Sequence, residues 1–291
     1  MKGTIKKFLL GASVVVGASA MSMTDFVYAV NPAFAGSFSS SGPTTVYESF
    51  VDSDGKTKTR KVTGADLSTI LSGDSSAPGG NVELYDQTDG LNLTQFKDIG
   101  SATLTADLDG KIVNFSSLTY EDWFGTGSGV SEAYGANNFA NQWFGKAMAK
   151  YGSGYNGMQK VGLYKQFLGS NGFQRFSDPN VAYVGKDGDT VTFGLAGHSD
   201  AGNVHPALQG WYASEVVKVS YKGQTELFYS FDKSTDSGQY EVSDGTSHDG
   251  NFEFSFQWGE DDAEKVPEPS AILGLIALSG VVATKRKQNK A

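Results

Sequence analysis

Asp109-Gly110, set between two runs of alternating hydrophobicity, restricts the fold of this chain more than any other feature. A tight hairpin turn needs two consecutive residues with positive φ, and Asp-Gly supplies them at little steric cost. On the N-terminal side, Leu104, Ala106 and Leu108 alternate with Thr103, Thr105 and Asp107, which predicts one buried and one wet face. Lys111–Leu118 is the returning strand. The same arrangement recurs at Val181–Val184 and Thr190–Leu195 around Lys186-Asp187-Gly188, and at Val216–Tyr221 and Thr225–Phe231 around Lys222-Gly223. Val46–Val51 and Lys58–Val62 flank Asp52-Ser53-Asp54-Gly55, while Gln239–Val242 and Asn251–Trp258 flank a longer loop, Ser243–Gly250. Hairpins in this number predict a mainly β chain, an antiparallel β-sandwich of jelly-roll type.

One interval breaks the rhythm. Between 134 and 171, Phe139, Trp143, Phe144, Ala147, Met148 and Tyr151 fall at helical spacing, with Asn137 or Asn138 placed to cap. Met158, Val161, Tyr164, Phe167 and Leu168 form a second apolar stripe, after the loop Gly152–Gly157. The expectation is a helical hairpin inserted into the β body and packed through its aromatics on one side of the sheet. Ala65–Leu71 reads as a short helix, Ser72–Asn81 as a loop, and Gly36–Thr44 as a Ser/Gly leader without structure of its own.

Both ends read as processing segments. Lys2, Lys6 and Lys7 precede the apolar run Phe8–Met23, and Ala33-Phe34-Ala35 has the small-x-small pattern of a signal-peptide cleavage site. Residues 1–35 are therefore expected to be removed, with Val27-Tyr28-Ala29 as an earlier alternative site. At the other end, Pro267-Glu268-Pro269 is followed by the uncharged run Ala271–Ala283 and then by Lys285-Arg286-Lys287. Thirteen helical residues span about 20 Å, less than the ~30 Å of a hydrocarbon core, and residues 270–284 lengthen that by only a turn. The cationic end would stay cytoplasmic, leaving everything before it outside. The two prolines stop the helix from running outward and leave the preceding peptide extended.

This order of motif, short apolar helix and basic end resembles the PEP-CTERM sorting signal. The resemblance implies recognition at Pro267, Glu268 and Pro269 by an exosortase, a membrane-embedded cysteine transpeptidase, after export by the general secretion machinery. It also implies a transient stay in the inner membrane, then transfer to the surface or matrix of a bacterium that makes exopolysaccharide. Within the body, Tyr120–Phe124, Asn141–Gly145 and Phe173–Pro179 resemble a group of uncharacterised PEP-CTERM proteins from cyanobacteria, which implies no particular activity. The organisation expected is a signal peptide (1–35), a β-rich exported domain (36–259), a charged tether (260–265) and the sorting segment (266–291).

Charge and residue chemistry narrow the function of the body. The N-terminal segment takes three of the 23 basic residues and the tail four, against one of the 32 acidic residues each, so the body is nearer −14 than −9. Such a surface repels nucleic acid. There is no cysteine to form a disulfide, so apolar burial must hold an exported body together. Gly197-His198-Ser199-Asp200 gathers hydrolase residue types within a few positions, but a triad draws its members from separated segments. His198, Asp200 and His205 match no familiar zinc spacing. Asp52-x-Asp54-Gly55 begins like an EF-hand loop, yet Lys56 and Thr63 stand where ligands belong. Loop carboxylates such as Asp187 and Asp189, or Asp244 and Asp249, leave an irregular surface Ca²⁺ site open without preferring a residue. His248 reads as a solvated turn residue. Glu121 and Asp122 beside Trp123 have glycosidase residue types, but neighbours on a strand end point to opposite faces.

The expectation is a non-enzymatic surface or matrix protein of structural or adhesive type, with no cofactor. The alternative is a carbohydrate-binding module in which Trp123, Trp143 and Trp211 stack on sugars; an exported hydrolase is a third reading.

Overall fold

A computed structural model describes residues 36–86, 88–203, 208–243 and 245–258. The signal peptide with Ala33 and Ala35, the motif Pro267-Glu268-Pro269, the basic residues Lys285, Arg286 and Lys287, and His205 and Asp244 all lie outside the described residues. Thirteen strands and five short α-helices follow one another along the described chain. The order is β1 (Gly36–Ser41), β2 (Thr44–Val51), β3 (Thr57–Val62), α1 (Leu67–Ile70), β4 (Gly80–Leu84), α2 (Leu93–Lys97), β5 (Thr103–Leu108) and β6 (Lys111–Ser116). It continues with α3 (Tyr120–Phe124), α4 (Phe139–Tyr151), α5 (Gly157–Gly169), β7 (Asn180–Asp187), β8 (Thr190–Gly197), β9 (Val217–Tyr221), β10 (Gln224–Phe228), β11 (Thr235–Asp236), β12 (Gln239–Glu241) and β13 (Gly250–Gln257).

Turn chemistry sets the local pairs. Asp109 (φ 58°) and Gly110 (φ 79°) both take positive φ, as do Lys222 (φ 48°) and Gly223 (φ 71°), so β5–β6 and β9–β10 close through two-residue turns of the type that matches strand twist. In the β7–β8 hairpin the loop is Gly188-Asp189, with Gly188 at φ 55°, because β7 runs on through Lys186 and Asp187, which were expected in the turn.

The strands form two sheets, one in the order β1-β5-β6-β9-β10, the other β11-β13-β8-β7-β4-β2-β3-β12. The fold is mainly β, as the hairpins predicted, and the sheets meet through aromatic rings. Phe193 of β8 lies 5.0 Å from Phe115 of β6 and 5.3 Å from Phe228 of β10, and Tyr221 of β9 stacks on Phe256 of β13 at 4.3 Å. Burying each such ring stabilises the fold by about 1.5–3 kcal/mol.

Four expectations about the strands are corrected. Gly36–Ser41 is an edge strand paired residue for residue with β5, not an unstructured leader. A strand, β4, begins inside the expected loop and lies between β2 and β7. The last two strands are not a hairpin: β12 runs parallel to β3, and β13 pairs with β11. The parallel β3–β12 pair also means that the larger sheet is mixed rather than wholly antiparallel.

The helical insertion is present as α4 and α5, capped by Asn138 and Asn156. Its aromatics pack with those of α2 and α3 into a cluster centred on Trp123, whose ring centroid lies 5.8 Å from that of Trp143 and 5.0 Å from Phe173. The three stretches singled out in the body, around Trp123, Trp143 and Phe173–Phe176, are therefore one packing unit. Trp123 Nε1 donates to Ser177 Oγ at 2.8 Å, which in turn donates to the Phe173 carbonyl. Leu227, on the face of β10 opposite Phe228, joins this cluster and connects helices to sheet. Met158 departs from the expected stripe; it is 86% exposed. No helix among the described residues is long and apolar enough to cross a membrane. The compact unit runs to Phe256; beyond it only Gln257 and Trp258 are described.

Candidate functional site

A cleft of about 340 Å³ opens where β8 ends, lined by Ser199, Asp200, Tyr212, Lys233, Ser234, Asp236, Tyr240 and Asp249. Its walls come from four segments, and α4 ties two of them together. The Tyr151 hydroxyl at the end of α4 accepts from the Tyr212 amide at 2.9 Å and donates to the Phe231 carbonyl at 2.7 Å. The Tyr151 ring stacks on Trp211 with centroids 4.8 Å apart and planes 15° from parallel. The third wall is held by Asp249, whose carboxylate takes the Ser199 amide at 2.6 Å and the Ser199 hydroxyl at 2.9 Å.

The carboxylates are fixed by main-chain donors. Asp200 accepts from the Gly202 amide at 2.6 Å and the Gly210 amide at 3.0 Å, and Asp236 accepts from the Gly238 amide at 2.8 Å. Held acceptors of this kind keep lone pairs for hydroxyl donors while their orientation is already paid for. The lining carries three carboxylates against one cation, Lys233, so it disfavours anions. Tyr240 is 42% exposed. The Ser234 hydroxyl is buried without a hydrogen-bond partner. A preorganised set of acceptors lined by two phenol rings can take a neutral polyol, with the Ser199 hydroxyl already committed to Asp249.

A larger, shallower depression of about 750 Å³ lies along β2 and β3. Its charges are spent within the protein: Arg60 pairs with Glu48 at 2.6 Å and Lys61 reaches Asp86 at 3.4 Å. It offers little to a ligand.

The residues singled out from sequence are dispersed. Trp123 and Trp143 are 0% and 3% exposed, so neither ring can stack on a sugar; they are core. Trp211 is half-buried with one face taken by Tyr151, and its neighbour Tyr212 is the residue that reaches the cleft. Glu121 and Asp122 lie in the first turn of α3, not at a strand end. Asp122 caps that helix through Thr119 and pairs with Lys218 of β9 at 2.8 Å, which commits its carboxylate. His248 is buried, not solvated: Nδ1 lies 2.7 Å from Thr59 Oγ1 and the ring packs edge-on against Tyr47. Asp189 is paired with Lys111 at 2.6 Å and Asp52 with Lys58 at 2.7 Å, both in turns. Only Ser199 and Asp200 of the Gly197–Asp200 stretch, together with Asp249, meet in one place. Among the described residues, no group of three or more His, Asp or Glu side chains is placed to hold a metal ion.

Sequence reasoning missed a half-buried acid. Glu215, just before β9, accepts from the Asn180 amide at 2.9 Å. Burial, then the nearby carboxylates of Asp178 and Glu83, push it well above the usual carboxylate range. Its signal in the sequence is an acid abutting the apolar start of a strand, Val216-Val217. The acid shapes stability rather than the cleft lining.

Comparison with family models, with curated proteins and with solved structures returned no match.

Proposed function

We propose that the protein is an exported surface or matrix component of structural or adhesive type, released from its signal peptide after Ala35 and processed by an exosortase at Pro267-Glu268-Pro269. The observation that carries this reading is the order of three features in the tail: Pro-Glu-Pro, the uncharged run Ala271–Ala283, and Lys285-Arg286-Lys287. An acidic, cysteine-free body suits a protein that works outside the cell without disulfides. In this reading a jelly-roll-like sandwich stands between a cleaved leader and a transient membrane helix. Fractionation and terminal sequencing test it. The expected species begins at Gly36, lacks the basic tail and is recovered from the surface or matrix; full-length chain in the cytosol refutes it.

A second reading, binding of a neutral saccharide from the exopolysaccharide, is favoured by the cleft between Tyr212 and Tyr240. Calorimetry with matrix polysaccharide tests it, with Tyr240→Ala expected to weaken binding by about tenfold. Unchanged binding by Tyr240→Ala, or none by the unaltered protein, removes it.

A further inference from the structure

We propose that β1 is an exchangeable strand and that the protein's partner is a second copy of itself, with Gly36–Ser41 of one molecule pairing with β5 of the next. The inference rests on the reading above in one respect: cleavage after Ala35 makes Gly36 the first residue of the mature chain, so β1 becomes a strand with a free end.

The geometry of β1 suits exchange. It is an edge strand whose one partner in the sheet is β5, in antiparallel register from Gly36 opposite Leu108 to Ser41 opposite Thr103, with α1 lying beside it. Its sequence is Gly-Ser-Phe-Ser-Ser-Ser, and five of the six residues are exposed, with Phe38 half-buried. Side chains therefore contribute little, and the strand is held chiefly by ladder hydrogen bonds. An identical strand from another copy would reproduce every one of them.

The seat that β1 occupies is demanding. β5 carries Leu104, Ala106 and Leu108, at most 4% exposed, and departure of β1 would bare their edge. An unpaired edge beside apolar side chains is a template for another strand. Gly36 fits closely at one end of the seat: a Cβ there would lie 2.6 Å from the Asp107 carbonyl oxygen.

The hinge is short and separable. Gly42-Pro43 is the whole connection between β1 in the smaller sheet and β2 in the larger one. The Pro43 carbonyl accepts from the Tyr85 amide at 2.9 Å, which pins the β2 side. Gly42, at φ 78°, is free to change its torsions because it has no Cβ. β1 can thus swing out while β2 stays in place. The intramolecular and exchanged states contain the same β1–β5 contacts, so hinge geometry and protein concentration decide between them. Each copy donates one strand and offers one seat, so the contact closes as a reciprocal dimer or propagates head to tail.

The absence of cysteine makes the test direct. Ser39 and Thr105 stand opposite each other across β1 and β5, at a spacing a disulfide can bridge. Ser39→Cys and Thr105→Cys are made separately in the full chain, and each exported protein is recovered and its N-terminus sequenced. The two are then mixed and oxidised, and the mixed disulfide is measured by mass. A mixture of Ser39→Cys with Asp54→Cys, on the exposed β2–β3 turn, is the collision control. Exchange predicts a mixed disulfide that grows with protein concentration and exceeds the control by about tenfold. A yield equal to the control, in chains that begin at Gly36, overturns exchange and leaves the export reading intact. Chains that retain residues 1–35 overturn the processing reading, and exchange with it.

Discussion

Replacing Glu215 by Gln is expected to stabilise the protein at neutral pH and to leave its stability unchanged near pH 4.5. The Glu215 carboxyl takes the Asn180 amide at 2.9 Å and is held protonated above its ordinary value of 4.5 by burial and by Asp178 and Glu83. Because the folded value is raised, the stabilising contribution is complete below the unfolded value and is lost as pH rises toward the folded one. Across that window the unfolded chain releases its proton and the folded chain does not, so each pH unit costs about 1.4 kcal/mol. At pH 7 the ceiling is therefore about 3 kcal/mol, and the loss stops growing once the folded group ionises. Gln keeps the acceptor for the Asn180 amide and needs no proton, and its amide can donate to the neighbouring carboxylates. Urea unfolding of both proteins at pH 4.5 and pH 7 reads the difference from the midpoints. A gain of the same size at both pH values, or a loss at pH 7, refutes the reasoning, because a packing effect would not follow the titration.

Three further outcomes are expected. At the alkaline end, burial pushes Tyr164 up to about 12, and burial with Glu253 pushes Tyr183 higher still. Stability should hold below the ordinary phenol value and fall as pH rises above it, followed by tyrosinate absorbance appearing together with unfolding rather than before it. Trp123→Phe should cost about 1 kcal/mol more than Trp143→Phe in denaturant unfolding, because Trp123 loses its bond to Ser177 whereas the Trp143 N–H has no partner to lose. Gly80→Ala should destabilise by more than about 3 kcal/mol, since its Cβ would sit 2.1 Å from the Tyr47 carbonyl oxygen; Gly110→Ala, with open space but φ 79°, should cost only about 1 kcal/mol. Thermal melts of the two glycine variants side by side rank the clash against the strain.

The cleft was legible only in fragments. His198-Ser199-Asp200 stood out from the sequence for its residue types, and two of those three residues do line the cleft. Asp249, placed among loop carboxylates, is the acid that holds Ser199, and nothing in the fifty residues between them signals the meeting. The tryptophans misled because a large aromatic serves equally well as a sugar platform or a core block. Burial decides between these, and burial is a property of what lies above the ring. Trp123 is covered by Phe139 and Phe173, which arrive from other helices and turns.

By itself the sequence determined the local hairpins and the caps. A positive φ at Asp109-Gly110, Lys222-Gly223 or Gly188 is settled within a few residues, and so is an asparagine that folds back on its own helix at 138 or 156. Tertiary structure decided the rest. Gly36–Ser41 has no strand propensity of its own and becomes a strand because β5 offers it an edge. β12 pairs with β3, and His248 packs under Tyr47, because the chain returns to β2 and β3 after nearly two hundred residues. The Glu215 carboxyl is pushed above the usual carboxylate range because folding covers it and brings Asp178 and Glu83 near it from separate segments. Turn torsions carry their cause in adjacent residues, whereas pairing, burial and titration take theirs from whatever the closed chain brings alongside.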